Sequence, residues 1–198
     1  MNHCTVDSIV SPIVRSGFSI NDARAEIGLR ASLESDREFL RAVYISTRAA
    51  EFSNAGWSAV QIDTLLAGQF AMQDAYYRRH YPRGCFDVVL LGALPVGRLY
   101  HDWSSSEARL IDIALLPEHR GAGIGTRLMQ ALVAEAARRA MPMRLYVESG
   151  NPVRSLYRRL GFVPAGENGV YEVMRRDAVR FDGEGAVPPL AGLIAAAA

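Results

Sequence analysis

This sequence is poor in the residues and runs that mark several large protein classes. It has two cysteines, Cys4 and Cys85, with no metal-ligand spacing around either and too few to imply a disulfide framework. Its four histidines, at positions 3, 80, 101 and 119, are scattered and give no metal site. No apolar run is long enough to cross a bilayer. The N-terminal stretch carries Asp7 and no continuous apolar segment, unlike a secretory signal. A cytoplasmic protein without a membrane partner is therefore expected. Charge of one sign is lacking too: 22 basic and 21 acidic residues leave a net charge of +1. Arginine far outnumbers lysine, but the arginines are scattered and accompanied by acids. An obligate nucleic-acid partner is not expected, because binding a phosphate backbone calls for a basic surface.

What is present suits one soluble domain. A chain of 198 residues, 49% hydrophobic, can build a single sizeable core and is short for two. Residues 1–24 show no clear period and read as an N-terminal extension. Residues 25–176 read as the domain, and 177–198 as a flexible Gly/Pro/Ala-rich tail. Within the domain a first strand at 27–31 leads to Ser35 and Asp36 as helix caps, with Glu38 placed for a capping box. Phe39, Leu40, Val43 and Tyr44 then form a helical apolar face. After a break at 53–56 a second helix runs over residues 58–80. Strands follow at 86–91, 96–103 and 110–116, an antiparallel meander punctuated by turns. A helix at 124–140, a strand at 143–149, and short strands near 162 and at 170–174 close the pattern.

The most informative segment is Pro117-Glu118-His119-Arg120-Gly121-Ala122-Gly123-Ile124-Gly125-Thr126. It joins a strand directly to a helix. Helix N-termini offer unpaired N–H groups and the positive end of a dipole, and glycines let an anion approach the backbone. A P-loop is excluded, because no lysine follows the glycines. The dinucleotide fingerprint fails as well, since Thr126 stands where its third glycine belongs. The pattern that fits is R-x-x-G-x-G, through Arg120, Gly123 and Gly125. It resembles the acetyl-CoA pyrophosphate loop of the GNAT-superfamily N-acetyltransferases. Downstream, Asn151-Pro152-Val153-Arg154-Ser155-Leu156-Tyr157-Arg158-Arg159-Leu160-Gly161-Phe162 resembles the second hallmark of that superfamily, in the family's order.

The resemblance implies an α/β (α+β) fold with a central mixed, mostly antiparallel twisted sheet flanked by helices. Two of its strands should splay to admit the pantetheine arm of acetyl-CoA. It assigns that co-substrate to backbone groups of Ile113 and Leu115, to the loop Arg120, Gly121, Ala122, Gly123, Ile124, Gly125 and Thr126, and to Asn151 and Tyr157. No metal is implied. Asn151 stands six residues before Tyr157 where the commoner family pattern has seven, and capping of the next helix explains it equally well.

Tyr157 matches the family's general acid, with packing beneath the Gly161 turn as the alternative. For the general base, the family's glutamate position falls on Tyr146; Glu148 lies on the same strand face, and Asp112 sits within an apolar strand. Pairing of Asp112 with an arginine such as Arg98, and a solvated role for Glu148, are the plainer alternatives. Gln69, Gln73, Tyr76, Tyr77 and His80 cluster on the second helix as a candidate acceptor wall, or as its solvent face. His101, Asp102 and Trp103 are a second candidate lining. The implied reaction is direct acetyl transfer from acetyl-CoA to a primary amine of a small molecule or protein. The rival is a non-catalytic acyl-CoA sensor or interaction module. A homodimer is compatible with the resemblance, though no residue specifies an interface.

Overall fold

Two periodicities in the sequence, one of two and one of 3.6 residues, sort into separate layers. The computed structural model describes residues 26–52 and 56–178. The extension 1–24, and the tail 177–198 apart from its first two residues, lie outside the described residues. Among the described residues seven strands form one sheet: β1 (Ile27–Ala31), β2 (Cys85–Leu91), β3 (Leu94–Asp102), β4 (Ala108–Leu115), β5 (Met143–Glu148), β6 (Val163–Asn168) and β7 (Tyr171–Arg176). Their order is β1-β2-β3-β4-β5-β7-β6. Every neighbouring pair is antiparallel except β4 and β5. This is the mixed, mostly antiparallel sheet that the motifs imply.

Among the described residues four α-helices cover the sheet: α1 (Arg37–Arg48), α2 (Ala59–His80), α3 (Ile124–Arg138) and α4 (Arg154–Arg159). Alternation along β5 shows how they are shared. Met143, Leu145 and Val147 are buried with Leu128 and Leu132 of α3 and Tyr157 of α4. Arg144, Tyr146 and Glu148 therefore point to the other face. On that face Val88 packs with Leu40 and Tyr44 of α1 and with Leu66 and Phe70 of α2. Helices α1 and α2 thus lie on one side, α3 and α4 on the other.

The helix starts differ in detail from the sequence reading. Ser58 caps α2: its hydroxyl accepts from the Gln61 amide at 3.3 Å, and the Gln61 side chain accepts from the Ser58 amide at 2.9 Å. Asp36, expected as a cap of α1, makes no side-chain cap there. Its carboxylate instead accepts from the Leu33 amide at 2.7 Å and pairs with Arg30 at 2.6 and 2.7 Å, tying β1 to α1. A charged partner within reach outcompetes a backbone N–H. The Arg30 guanidinium holds the Asp36 carboxyl down at about 2, below its usual 3.8. A depressed carboxyl stabilises the fold above the unfolded value and loses that contribution as pH falls through the folded one. Asp36→Asn should therefore flatten the decline in stability between about pH 4 and pH 2, measured by urea unfolding across that range.

Strands β3 and β4 carry an irregularity that shapes the site. Tyr100 faces Asp112 but His101 faces Leu110, which leaves Ile111 as the extra residue of a bulge. Bulges bend a strand and increase its twist. Here the bend coincides with the parting of β4 from β5, which pair only at Ala108 with Met143 and Arg109 with Arg144. Beyond that point the two strands diverge into a wedge. Gly97 on β3 keeps the opposite edge of β4 close: a Cβ there would lie 2.3 Å from the Ala114 carbonyl oxygen and 3.0 Å from the Leu115 Cα. Both neighbours are backbone and cannot swing aside. Gly97→Ala should destabilise the protein by about 1–3 kcal/mol, read from the shift in denaturation midpoint.

Candidate functional site

A cleft of about 780 Å³ opens in the wedge between β4 and β5 and passes through the sheet. Met129 and Tyr157 line it on the α3/α4 face; Tyr77, Asp112 and Glu148 line it on the α1/α2 face. Hydrogen-bond alternation decides which edges of β4 face the gap. The Leu116 amide donates to the Val96 carbonyl at 2.9 Å. In an antiparallel pair bonded and non-bonded positions alternate. Ala114 opposite Arg98 is therefore bonded to β3, whereas Ile113 opposite Leu99 and Leu115 opposite Gly97 turn their peptide groups away from it. Those groups face the gap, where no β5 partner meets them. Ile113 and Leu115 are thus the residues whose peptide groups face the gap rather than β3.

At the end of β4 the chain makes a short 3-10 turn over Pro117–His119 and enters the glycine loop. Gly121 and Gly123 have φ of 76° and 79°, left-handed values that glycine tolerates without a Cβ clash. Gly123 is the N-cap of α3 and supplies no side-chain cap, so the first-turn amides are left for another acceptor. A Cβ at Gly121 or Gly125 would meet nothing within 4 Å. An open, uncapped, glycine-lined helix start fits a pyrophosphate. Of the loop residues assigned from sequence, Ala122 alone does not line the cleft.

The Arg120 side chain is engaged within the protein. Its Nε donates to the Leu115 carbonyl at 2.8 Å, and its Nη2 donates to the Ser46 carbonyl at 3.2 Å and to the Ser46 hydroxyl at 3.0 Å. The guanidinium braces the loop between β4 and α1. Asn151 also works locally, since its Oδ1 accepts from the Val153 amide at 3.0 Å in the turn before α4. It still borders the cleft.

Tyr157 packs as one reading of the sequence expects and also borders the cleft. Its ring packs edge-on against Phe162 with centroids 6.0 Å apart, and the residue borders the cleft. It is 5% exposed. Burial, with a smaller contribution from the Asp112 charge, pushes its phenol up to about 12. The group holds its proton throughout the neutral range.

The α1/α2 face is polar. Asp112 pairs with the buried Arg98 through both oxygens, at 2.8 and 3.2 Å. Arg98 also donates to Gln73 at 3.0 Å, and the Tyr77 hydroxyl donates to Asp112 at 3.4 Å. Burial first, then the Asp112 charge, raises the Tyr77 phenol strongly. The rings of Tyr44 and Tyr100 flank the Arg98 guanidinium at 5.7 and 5.3 Å. At the mouth, Arg48 reaches Glu148 at 3.2 Å and Glu51 at 3.0 Å. Tyr146 stands on the same face of β5 as Glu148 and also lines the cleft.

Of the candidate acceptor residues on α2, Gln73 and Tyr77 line the cleft. Gln69 instead accepts from the Tyr44 hydroxyl at 3.2 Å. Tyr76 and His80 stack on each other at 3.8 Å, both exposed and outside the cleft. His101, Asp102 and Trp103 do not contribute to it either. The Trp103 Nε1 donates to His101 Nδ1 at 2.8 Å beside the α3-side core, and Asp102 accepts from Ser104. Thr47, Arg48, Glu51 and Tyr171 line the cleft without having been picked out from sequence. No local pattern marks them, because they reach the site from elements far apart in the chain. Among the described residues no group of His, Cys, Asp and Glu is placed to hold a metal ion, and no helix is long and apolar enough to cross a membrane.

Comparison with known proteins gives the same picture. The fold is shared with a PaiA N-acetyltransferase from Thermoplasma acidophilum solved in complex with coenzyme A, at a TM-score of 0.58 and 20% identity over 77% of this chain and 99% of that one. It is shared with the ribosomal-protein-S18-alanine N-acetyltransferase from Escherichia coli, at 0.53 and 18% identity over 81% and 99%. Ard1 from Thermoplasma volcanium aligns at 0.52 and 20% identity over 78% and 99%. No curated protein matches the chain in sequence. The model of the acetyltransferase (GNAT) family matches residues 54–162, more than half of the 198-residue chain, and spans the wedge, the glycine loop and the Tyr157 helix. The protein belongs to the acetyltransferase (GNAT) family.

Proposed function

We propose that this protein transfers the acetyl group of acetyl-CoA to a primary amine by direct attack, without a covalent enzyme intermediate. One observation carries the reading: a single slot through the sheet joins an anion cradle, a protonated tyrosine and a polar acceptor face. Bound acetyl-CoA would supply an activated thioester. The amides of Gly121, Gly123 and the first turn of α3 would hold its pyrophosphate, and the gap-facing peptide groups of Ile113 with the amide of Leu115 its amide-bearing arm. Tyr157 keeps a proton at its hydroxyl, available to a departing thiolate. On the opposite face both oxygens of Asp112 are engaged by Arg98, which suits it to orient Tyr77. Glu148, its side chain 46% exposed, is the carboxylate at the open mouth. We assign it the receipt of the amine's proton, directly or through water. Acetylation of a ribosomal-protein alanine by a structural neighbour keeps a protein amine beside small amines among the acceptors.

The test is isothermal calorimetry with acetyl-CoA, followed by thiol release across a panel of alkylamines, amino-acid amides and peptides. Binding with amine-dependent release establishes the reaction. Binding without release on any amine supports the acyl-CoA sensor instead, and no binding overturns the reading. The chain contains no lysine. Any acetyl-lysine found by mass spectrometry therefore belongs to the acceptor.

A further inference from the structure

Two tethers leave the last turn of α1 for opposite halves of the site. Ser46 takes the Nη2 of Arg120, whose Nε grips the Leu115 carbonyl at the gap-facing edge of β4. Two residues on, Arg48 crosses the slot to Glu148 of β5, one hundred residues away in sequence, and also holds Glu51. Apolar packing thins toward this end of the helix: the fully buried residues of α1 stop at Tyr44, and beyond it only the partly buried Ile45, and Phe52 of the 3-10 turn that follows (Ala49–Phe52), pack against the α1/α2 core. The sheet offers no substitute, because β4 and β5 share only two paired positions before they diverge. Across the wedge, these side-chain tethers brace what backbone pairing does not.

We propose that the last turn of α1 is a positioning element shared by both substrates, with Ser46 setting the glycine loop through Arg120 and Arg48 setting Glu148. The two ends of the slot are then linked: loosening Arg48 loosens the loop, although Arg48 makes no contact with it. Ser46 and Arg48 act through Arg120 and Glu148, so they are positioning residues. The inference rests on the loop being the coenzyme A site, but one of its two readouts does not need the ligand.

Amide hydrogen exchange by mass spectrometry on the free protein is the first readout, and coenzyme A affinity by calorimetry the second, for wild type, Ser46→Ala, Arg48→Gln and Arg48→Lys. A half-exposed ion pair supports an effect of about two- to fivefold. In Arg48→Gln, residues 117–126 should exchange about two- to fivefold faster and coenzyme A should bind weaker by a similar factor, with exchange across β2 and β3 unchanged. Arg48→Lys should recover part of both, because it keeps a cation within reach of Glu148. Ser46→Ala should match Arg48→Gln in direction. If Arg48→Gln leaves loop exchange and affinity at wild-type values while Ser46→Ala changes them, the linkage is overturned and the Arg120 brace is local. If wild type binds no coenzyme A, the cofactor reading fails, and the exchange experiment alone decides whether the loop and the slot are linked.

Discussion

Gly123→Glu should remove measurable coenzyme A binding, lowering affinity by more than about 100-fold, or roughly 2.7 kcal/mol. Gly123 is the N-cap of α3 with φ at 79°, a conformation that costs a residue bearing a Cβ about 1–2 kcal/mol. A glutamate adds a carboxylate at the point where backbone amides and the helix dipole would otherwise meet the pyrophosphate. The same charge is favourable for the helix itself, since an acid at an N-terminus offsets the dipole. Binding and folding are therefore expected to separate: little change in thermal midpoint, loss of the calorimetric signal. Gly123→Ala, which brings strain without charge, should keep weakened but measurable binding. Retention of wild-type affinity by the glutamate variant would remove the loop from the cofactor site.

Tyr157→Phe should lower kcat about 100-fold while leaving coenzyme A affinity within about twofold, as expected for loss of a general acid whose ring still packs. The ring contact with Phe162 survives the substitution, and the hydroxyl makes no hydrogen bond among the described residues. The pH profile offers a separate check. An acid must carry its proton to donate it, and burial raises this phenol from 10 to about 12. Turnover should then show no decline attributable to Tyr157 between about pH 8 and pH 10, where an ordinary tyrosine begins to ionise. Initial rates of thiol release over that range measure it. Wild-type turnover in the phenylalanine variant would reduce Tyr157 to packing.

How much of this was legible beforehand varies with the range of the interaction. The turn into α3 was readable because a strand period, three glycines and a helical period follow one another within about twenty residues, and each is a local preference. The gap-facing peptide groups of Ile113 and Leu115 follow from the two-residue alternation of a strand once the family resemblance had fixed the loop after β4. The face of α2 was only half readable. Helical spacing groups Gln69, Gln73, Tyr76, Tyr77 and His80, but it does not say toward what the group turns. Tyr77 reaches Asp112 at 3.4 Å, whereas its neighbour Tyr76 stacks on His80 at the surface. One residue is a step of about 100° around a helix, enough to move a side chain from the cleft to solvent.

The sequence by itself determined the family, the layered α/β architecture and the glycine-rich turn from β4 into α3, because these rest on periods and spacings encoded within short segments. Only the tertiary structure decided the electrostatic partners. It settled on Arg98, the partner the sequence offered as an alternative, for Asp112, and it supplied Arg48 from a helix one hundred residues earlier for Glu148 and Ser46 for Arg120. Such pairings depend on where a bulged β4 parts from β5 and on how α1 ends above the gap. No short-range pattern encodes either, since long charged side chains take the partners that chain topology brings within reach.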